Sequence, residues 1–398
     1  MKGVLAQKWT VDLQEEIVAA PTVINPSDPD RSRILIGTKQ GKLHVLNSSG
    51  EVQWTYNSQD SLSSEEQLFV DSDEVYSINT EPKVLTNPKT KETLVIIGTQ
   101  EGKVHCIGKG GVRKWVVYTD GPIRAAPSTM FAGKTKELFL LIGSHDEHIY
   151  VISLEGKIVK KLHVTESIET TPLVVKQQLI VGTTKGTLIA VDITGKVTWT
   201  VQTKKRISAN LVHTRSVGGE DIILAASEDS NLYAISAEGE VLWRTPTRGA
   251  IIAKPAILQT NPTTKEVLFG STDNSLYCLD LEDGDELWSY ETNFWVGCTP
   301  AIEKGKEYTY AIVGSYDANV YVLDAMGSYE LDIIPGLGGV VNQGTFRISS
   351  MGSDAGEDKG KLLSRFHVHD FVIGSVFAAQ DAVVAVTKKG KVYNLKLS

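Results

Sequence analysis

His367 and His369 stand two residues apart in the segment FHVHDF, with Asp370 directly behind them. On an extended strand, residues i and i+2 face one side, so the two imidazoles are presented together. With a carboxylate they supply donor types for a transition metal, which takes four ligands in a closed site. No third or fourth donor follows at a recognisable spacing, so a polar connection is the expected role. Four aspartates suggest a second chemistry. Asp146, Asp229, Asp273 and Asp317 recur at one position of the polar stretches SHDE, SEDS, STDN and SYDA. A ring of carboxylates could hold cations, but aspartate in a tight turn ordinarily accepts from its own backbone two residues on. The turn role is therefore expected. The third feature is aromatic. In ETNFWVGCTP, Phe294 and Trp295 are adjacent, and neighbours on an extended chain point to opposite sides. One of them is expected to fill an apolar slot held elsewhere by Ile17, Ile123, Ile168 or Ile251, leaving the other free as an exposed binding anchor.

Other catalytic signatures are missing from the sequence. It has no nucleophile elbow, P-loop or metalloprotease helix, and GLGG at 336–339 does not fit the dinucleotide fingerprint. Cys106, Cys278 and Cys298 have no C-x-x-C spacing and sit in apolar strand patterns, where a buried reduced thiol is expected.

These residues are positioned by a repeat. A Gly-Thr/Ser that ends a strand recurs at Gly37, Gly98, Gly143, Gly182, Gly270 and Gly314, with Ala226 and Val386 at the corresponding places of two further copies. The intervals are 61, 45, 39, 44, 44, 44 and 72 residues, so two copies carry insertions. A strand-initial marker precedes each copy: AAPTV, TEPKV, AAPST, TTPLV, SANLV, AKPAI, CTPAI and IGSVF. Proline lacks an N–H and is tolerated where a strand begins. A tryptophan closes most copies, at Trp54, Trp115, Trp199, Trp243 and Trp288, with Lys160 in the third and Leu331 in the seventh. Four short strands at a period of about 44 residues are the signature of a propeller blade.

The ends settle the number of blades. The last copy stops after its third strand at YNLKLS, while VLAQKWTVDL reads as an orphan fourth strand with Trp9 at the tryptophan position. The expected fold is all-β: an eight-bladed propeller of four-stranded antiparallel blades, closed by the N-terminal strand completing the C-terminal blade. One domain spans 1–398. It runs from the outer strand of blade 8 (4–14) to blade 1 (15–57), an acidic insertion (58–74), blade 2 (75–118), blade 3 (119–162) and blade 4 (163–201). Blade 5 (202–245), blade 6 (246–290), blade 7 (291–333), a Gly-rich insertion (334–365) and the rest of blade 8 (366–398) follow. Residues 57–82 hold seven acids and no Lys or Arg, with Ser63 and Glu66 spaced to cap a short helix. Residues 334–365 carry seven glycines and read as a long loop.

Composition suits a soluble globular protein, at 41% hydrophobic and 22% charged. A net charge of −8 argues against a general nucleic-acid binder, which needs a basic face. No run approaches the ~18 apolar residues of a membrane span. Met1–Leu13 has no apolar signal core, so a full-length chain is expected in the cytoplasm. Were a signal peptide removed ahead of Met1, the expectation would be periplasmic or extracellular.

The segment AVDITGKVTW at 190–199 resembles the tryptophan-docking motif of the quinoprotein (PQQ-dependent) alcohol dehydrogenase-like propellers, and CLDLEDGDELW and AISAEGEVLW are looser copies. The resemblance runs from Val4 to Leu397 and implies an eight-bladed ring. It also implies that Trp9, Trp54, Trp115, Trp199, Trp243 and Trp288 dock each blade on its neighbour. WD-repeat propellers share the period, but their Gly-His and Trp-Asp pairs are missing. The dehydrogenases of the family hold their quinone beneath adjacent cysteines, with a calcium on acidic and amide side chains. This sequence has no Cys-Cys pair and no match to those calcium-ligand segments. No cofactor and no PQQ-dependent activity are therefore expected. The family's outer-membrane assembly lipoprotein carries a signal peptide and a lipobox cysteine, which Met1–Leu13 lacks.

The expected function is that of a non-catalytic, monomeric protein-interaction scaffold using the channel mouth, where the turns and blade connections gather. The candidate binding residues are Phe294, Trp295, Tyr316, His145, Lys205, Arg206 and Arg248, and a bipolar charge pattern would orient a partner. Small-molecule or carbohydrate binding by the mouth aromatics is the alternative, and a divergent PQQ-dependent dehydrogenase is the third reading.

Overall fold

The structure, a computed structural model, describes residues 3–61, 76–132, 137–261, 263–305, 308–326, 359–379 and 382–398. The short capped helix expected at Ser63–Glu66 lies outside them. Eight four-stranded antiparallel sheets follow one another, each built outward from an inner strand A to an outer strand D. In blade 4 these are Leu173–Val175, Gln178–Gly182, Thr187–Asp192 and Val197–Gln202. The helices among the described residues are two 3₁₀ turns, Ser58–Ser61 and Lys109–Gly111.

The strand patterns follow from the position of each strand in a blade. Strands B and C lie between neighbouring blades and bury both faces, which explains their near-continuous apolar runs such as QLIVG and TLIAVD. Strand D forms the outer edge and alternates, as in VTWTVQ. The core is thus a series of layers between blades. Ile180, Leu188 and Ala190 of blade 4 pack with Ile223, Ala225, Tyr233 and Ile235 of blade 5.

Closure uses both ends of the chain. Leu5–Asp12 pairs with Lys391–Leu397 as strand D of blade 8, with Trp9 opposite Asn394. Val4 and Ser398 exchange backbone hydrogen bonds at 3.1 Å in both directions.

The outer strands interlock by one repeated contact. Trp9, Trp115, Trp199 and Trp243 each donate Nε1–H to a carbonyl of the next blade: Ser48, Leu154, Ala237 and Leu281, at 2.7–2.9 Å. Each indole lies on a glycine of that blade's C–D turn; Gly239 would place a Cβ 2.7 Å from Trp199 and Gly284 would place one 2.6 Å from Trp243. Trp54 and Trp288 meet Gly111 and Gly360 in the same way. Blade 3 has Lys160 in place of tryptophan, and its Nζ still donates to the carbonyl of Ile193 in blade 4.

Blade 7 departs from the sequence expectation. Its outer strand is Leu362–His367, paired with Asn319–Asp324, and not the segment around Leu331, which lies outside the described residues. The Gly-rich insertion therefore enters between strands C and D of blade 7 rather than between blades 7 and 8. The reason is the turn. Gly360-Lys361 repeats Gly195-Lys196, and Gly360 at φ 75 receives Trp288 just as Gly284 receives Trp243. Ser364 occupies the tryptophan position opposite Val322, and its Oγ donates to the Gly3 carbonyl of blade 8.

Glycine at the end of strand B serves the next blade. A Cβ on Gly182 would come within 2.7 Å of Ile207 Cγ2, so the small residue makes room for the buried slot residue of blade 5. Gly186, in the B–C turn, is more constrained still: φ is +83 and a Cβ would lie 2.2 Å from the Lys205 carbonyl oxygen. Gly186→Ala is expected to cost at least about 1–3 kcal/mol from the left-handed backbone alone. A lowered thermal midpoint would register it, and an unchanged midpoint would contradict this packing.

Candidate functional site

The D–A connections and B–C turns gather at one end of the ring, around the channel. Each connection buries one apolar residue against the preceding blade: Ile17, Ile78, Ile123, Ile168, Ile207, Ile251, Val296 and Val372, all at 0% exposure. In blade 7 the slot is filled by Val296, so neither Phe294 nor Trp295 is needed there. Both are exposed, at 42% each. The expectation that they point to opposite sides is corrected. The chain bends at residues 293–294 instead of extending, and the two rings stack with centroids 5.3 Å apart and planes 4° apart.

The backbone beneath this pair is tied down on several sides. Thr292 Oγ1 donates to the Phe294 carbonyl at 2.6 Å, and Ser315 Oγ donates to the carbonyls of Phe294 and Trp295 at 3.1 and 3.2 Å. The Tyr316 N–H donates to the Trp295 carbonyl at 2.9 Å. Tyr316 lies 6.2 Å from Trp295 between centroids and stacks at 5.6 Å on Phe371, which is 44% exposed. Gly297 makes this possible, because a Cβ there would be 3.1 Å from the Tyr316 ring. Burial pushes the Tyr316 hydroxyl above its ordinary value. Phe294, Trp295, Tyr316 and Phe371 form one aromatic ledge across blades 7 and 8. Phe371 was missed by sequence reasoning, although the signal was present. It directly precedes its slot residue Val372, just as Trp295 precedes Val296.

His145 does not join the ledge. It lies in blade 3, with Nε2 3.2 Å from Glu169 Oε1, an ion contact whose angle falls short of a hydrogen bond. Arg124 Nη1 is 3.8 Å from the same oxygen. Burial works to raise the Glu169 carboxyl, but His145, Arg206 and Arg124 hold it below its ordinary value. Lys205, Arg206 and Arg248 lie in connections leading into blades 5 and 6 and are exposed. Arg206 Nε donates to Glu228 Oε1 at 2.6 Å.

The four repeated aspartates are latches between a turn and the chain arriving from the previous blade. Each Oδ1 accepts from the N–H two residues on, at 3.0–3.1 Å. Each Oδ2 accepts from a tyrosine hydroxyl four residues on: Tyr150, Tyr233, Tyr277 and Tyr321. The same Oδ2 also accepts from the N–H of Asp120, Lys204, Arg248 or Asn293 in the incoming connection. Three blades without a turn aspartate supply the carboxylate from the connection. Glu15 takes Thr38 and Lys42, Glu166 takes Thr183 and Thr187, and Asp370 takes the Lys389 N–H at 2.7 Å. Phe294 occupies the connection position that Glu15, Glu166 and Asp370 fill elsewhere. Asp317 makes the latch from the turn side, which leaves that position open to an aromatic.

His367 and His369 meet edge to face at 4.5 Å, and His367 Nδ1 is 3.3 Å from Asn319 Oδ1. Among the described residues no three His, Cys, Asp or Glu side chains form a metal-binding group. The three cysteines are buried free thiols; burial pushes Cys106 and Cys298 up to about 12. Below the mouth the channel opens into cavities of about 250 and about 500 Å³. Glu81 and Lys254 line both, and burial raises the Glu81 carboxyl against the opposing pull of Lys254 and Lys83. Among the described residues no helix is long and apolar enough to cross a membrane.

Comparison with known proteins gives partial sequence matches and full-length structural ones. A family model described as the outer membrane protein assembly factor BamB matches residues 79–254, and one described as the lambda-carrageenase β-propeller domain matches residues 258–335. No curated protein matches the sequence. BamB from Moraxella catarrhalis is 17% identical, with a TM-score of 0.65 over 99% of this chain and 98% of that one. The computationally designed Ika8 protein is also 17% identical, with a TM-score of 0.66 over 97% of both chains. At these identities the structural likeness concerns the fold. With the blade repeat and the sheet order, it makes this chain an eight-bladed β-propeller, similar over residues 79–254 to the PQQ-like repeats of the matched family model.

Proposed function

We propose that the chain is a non-catalytic protein-interaction platform whose contact surface is the channel mouth, centred on the aromatic ledge. The observation that carries this is the exposure of Phe294, Trp295 and Phe371 on a backbone held by side-chain and main-chain hydrogen bonds. Rigid exposed aromatics are the usual anchors of interfaces, because they bury much area at little entropic cost. The titratable groups of the same face support a non-catalytic reading, since the four repeated aspartates and Glu15, Glu166 and Asp370 are engaged in structural latches. The likeness to an assembly factor favours a protein partner.

A photo-crosslinking amino acid placed at Trp295 tests the reading, with Val159 on the outer strand of blade 3 as the control position. Protein adducts specific to position 295 are expected. Equal adducts from both positions, or none, would overturn the platform reading. Phe294→Ala and Trp295→Ala should leave the thermal midpoint nearly unchanged, within about ±0.5 kcal/mol of stability, because both side chains are outside the core. Addition of PQQ and calcium in a dye-linked alcohol assay is expected to give no turnover.

A second reading, polysaccharide binding, is favoured by one observation. The match to the lambda-carrageenase propeller domain, residues 258–335, includes Phe294, Trp295 and Tyr316. Retardation in gels containing a sulfated polysaccharide, lost in Trp295→Ala, would support it.

A further inference from the structure

We infer that the segment this face receives is an acidic linear peptide with apolar anchors; the inference rests on the platform reading and adds the chemistry of the partner. The charges of the face are sorted by depth. In the described connections and B–C turns, the exposed charged side chains are Arg124, Lys185, Lys204, Lys205, Arg206, Arg248, Lys254, Lys388 and Lys389 on the basic side, but only Asp120 on the acidic side. Asp120 is paired with Lys161 at 2.5 Å.

The remaining described acids of the face are half-buried or buried, and all but Glu81, which lines the channel, have a local partner. Asp146, Asp229, Asp273 and Asp317 accept from backbone and tyrosine donors. Glu16 meets Lys39 and Lys388, Glu147 meets His163, Glu169 meets His145, and Glu228 meets Arg206. By contrast Lys185, Lys204, Lys205, Arg248 and Lys389 have no ion-pair partner among the described residues. Among the described residues the outer layer of the mouth is therefore cationic over a set of fixed, already engaged carboxylates.

The two kinds of contact are also arranged in order around the ring. Lys185 stands in the B–C turn of blade 4, Lys204 and Lys205 in the connection into blade 5, and Arg248 in the connection into blade 6. The aromatic ledge of blades 7 and 8 comes next, followed by Lys389 in the last B–C turn. A chain laid along this arc meets cations, then stacked aromatics, then a cation. Complementarity requires acidic residues on either side of one or two large apolar side chains. A rigid aromatic ledge takes apolar anchors, while the flexible lysines follow carboxylates without demanding one spacing.

The test uses the full chain and fluorescently labelled synthetic peptides read by anisotropy. One peptide alternates Asp and Glu around a Leu-Phe pair, a second replaces the acids by Lys, and a third replaces the Leu-Phe pair by Ser. A sulfated oligosaccharide of similar charge is the fourth probe. The acidic anchored peptide is expected to bind, and the lysine version to bind at least about tenfold more weakly, as the loss of charge complementarity predicts. Trp295→Ala should weaken the acidic peptide by about thirtyfold, the effect of removing a central anchor. Lys205→Glu with Arg248→Glu should weaken it and flatten its salt dependence, because the screened attraction is then gone.

Equal binding of the acidic and lysine peptides, both lost in Trp295→Ala, would overturn the charge inference and leave the platform reading standing. Binding of the oligosaccharide with none of the peptides would overturn both. Circular dichroism and a thermal melt of each variant separate loss of binding from loss of fold.

Discussion

Trp243→Ala is expected to lower the free energy of unfolding by about 3–5 kcal/mol, the range for truncating a buried large aromatic. Trp243 is 9% exposed and belongs to the layer between blades 5 and 6, among Leu232, Phe269 and Leu279. Its removal empties the space over Gly284, whose lack of a Cβ shapes the indole's seat. It also strands the Leu281 carbonyl that accepts Nε1–H at 2.9 Å. Thr245 Oγ1 donates to the Gly284 carbonyl at 2.6 Å and stays in place, so the turn itself should survive. Urea denaturation read by circular dichroism measures the effect. Trp243→Phe should recover the packing but not the hydrogen bond, and so fall between the two. A cost below about 1 kcal/mol, the level of an ordinary surface change, would contradict the docking role.

Asp229→Ala is the second large effect expected, at about 3 kcal/mol, because one truncation leaves several donors without an acceptor. The Asn231 N–H and side-chain amide, the Tyr233 hydroxyl and the Lys204 N–H all donate to this carboxylate, at 2.7–3.1 Å. Asp229→Asn should be milder, since the carbonyl of the amide still accepts. The latch also predicts a pH window. Burial works to raise the Asp229 carboxyl, but the donors from Lys204, Asn231, Tyr233 and Ser227 hold it below its ordinary value. A depressed folded value means that its contribution is complete above the unfolded value of about 3.9 and is lost as the pH falls through the folded one. Tyr233 sets the other limit. Burial first, then the Asp229 carboxylate, pushes its hydroxyl up to about 12. A raised folded value means stability is retained below the unfolded value of about 10 and declines as the pH rises toward the folded one. Unfolding measured across pH should therefore show acid destabilisation that is reduced in Asp229→Ala, with the other depressed carboxylates such as Glu169 supplying the remainder. A wild-type acid limb that persists unchanged in the variant would show that the carboxylate is not what the acid attacks.

The surface substitutions separate binding from folding. Trp295 and Phe294 lie beyond the slot that Val296 fills, so their loss should affect partners and leave the midpoint almost unmoved. That contrast with Trp243 concerns the same residue type in the same chain. It follows from location: one indole is seated on the next blade and the other faces solvent at 42% exposure.

The repeat, the strand order and the closure of the ring were legible in the amino-acid sequence, because each depends on short-range chemistry that recurs. Glycine precedes a turn, proline opens a strand, and continuous apolar runs as against alternation distinguish the doubly buried strands from the outer one. The turn role of the four aspartates was legible for the same reason, since the two-residue hydrogen bond is local. Their second role was not. The donors from Asp120, Lys204, Arg248 and Asn293 lie 24–26 residues away, and only the packing of blade on blade brings them to the carboxylates.

The same distinction explains the blade 7 strand and the mouth. Regular spacing points to Leu331, but pairing partners are chosen in space, and Gly360 under Trp288 marks where the chain returns to its blade after the insertion. The sequence by itself determined an eight-bladed all-β ring, its tryptophan markers and the presence of two adjacent aromatics before Cys298. Only the tertiary structure decided that Val296 is the buried one, that Phe294 and Trp295 stack rather than diverge, and that Tyr316 and Phe371 extend them into one ledge. A slot accepts whichever side chain the bent backbone aims at it, and that aim is set by hydrogen bonds donated by Thr292 and Ser315 and by the one that the Asn293 N–H donates to Asp317. Local periodicity cannot encode contacts made between one blade and the next.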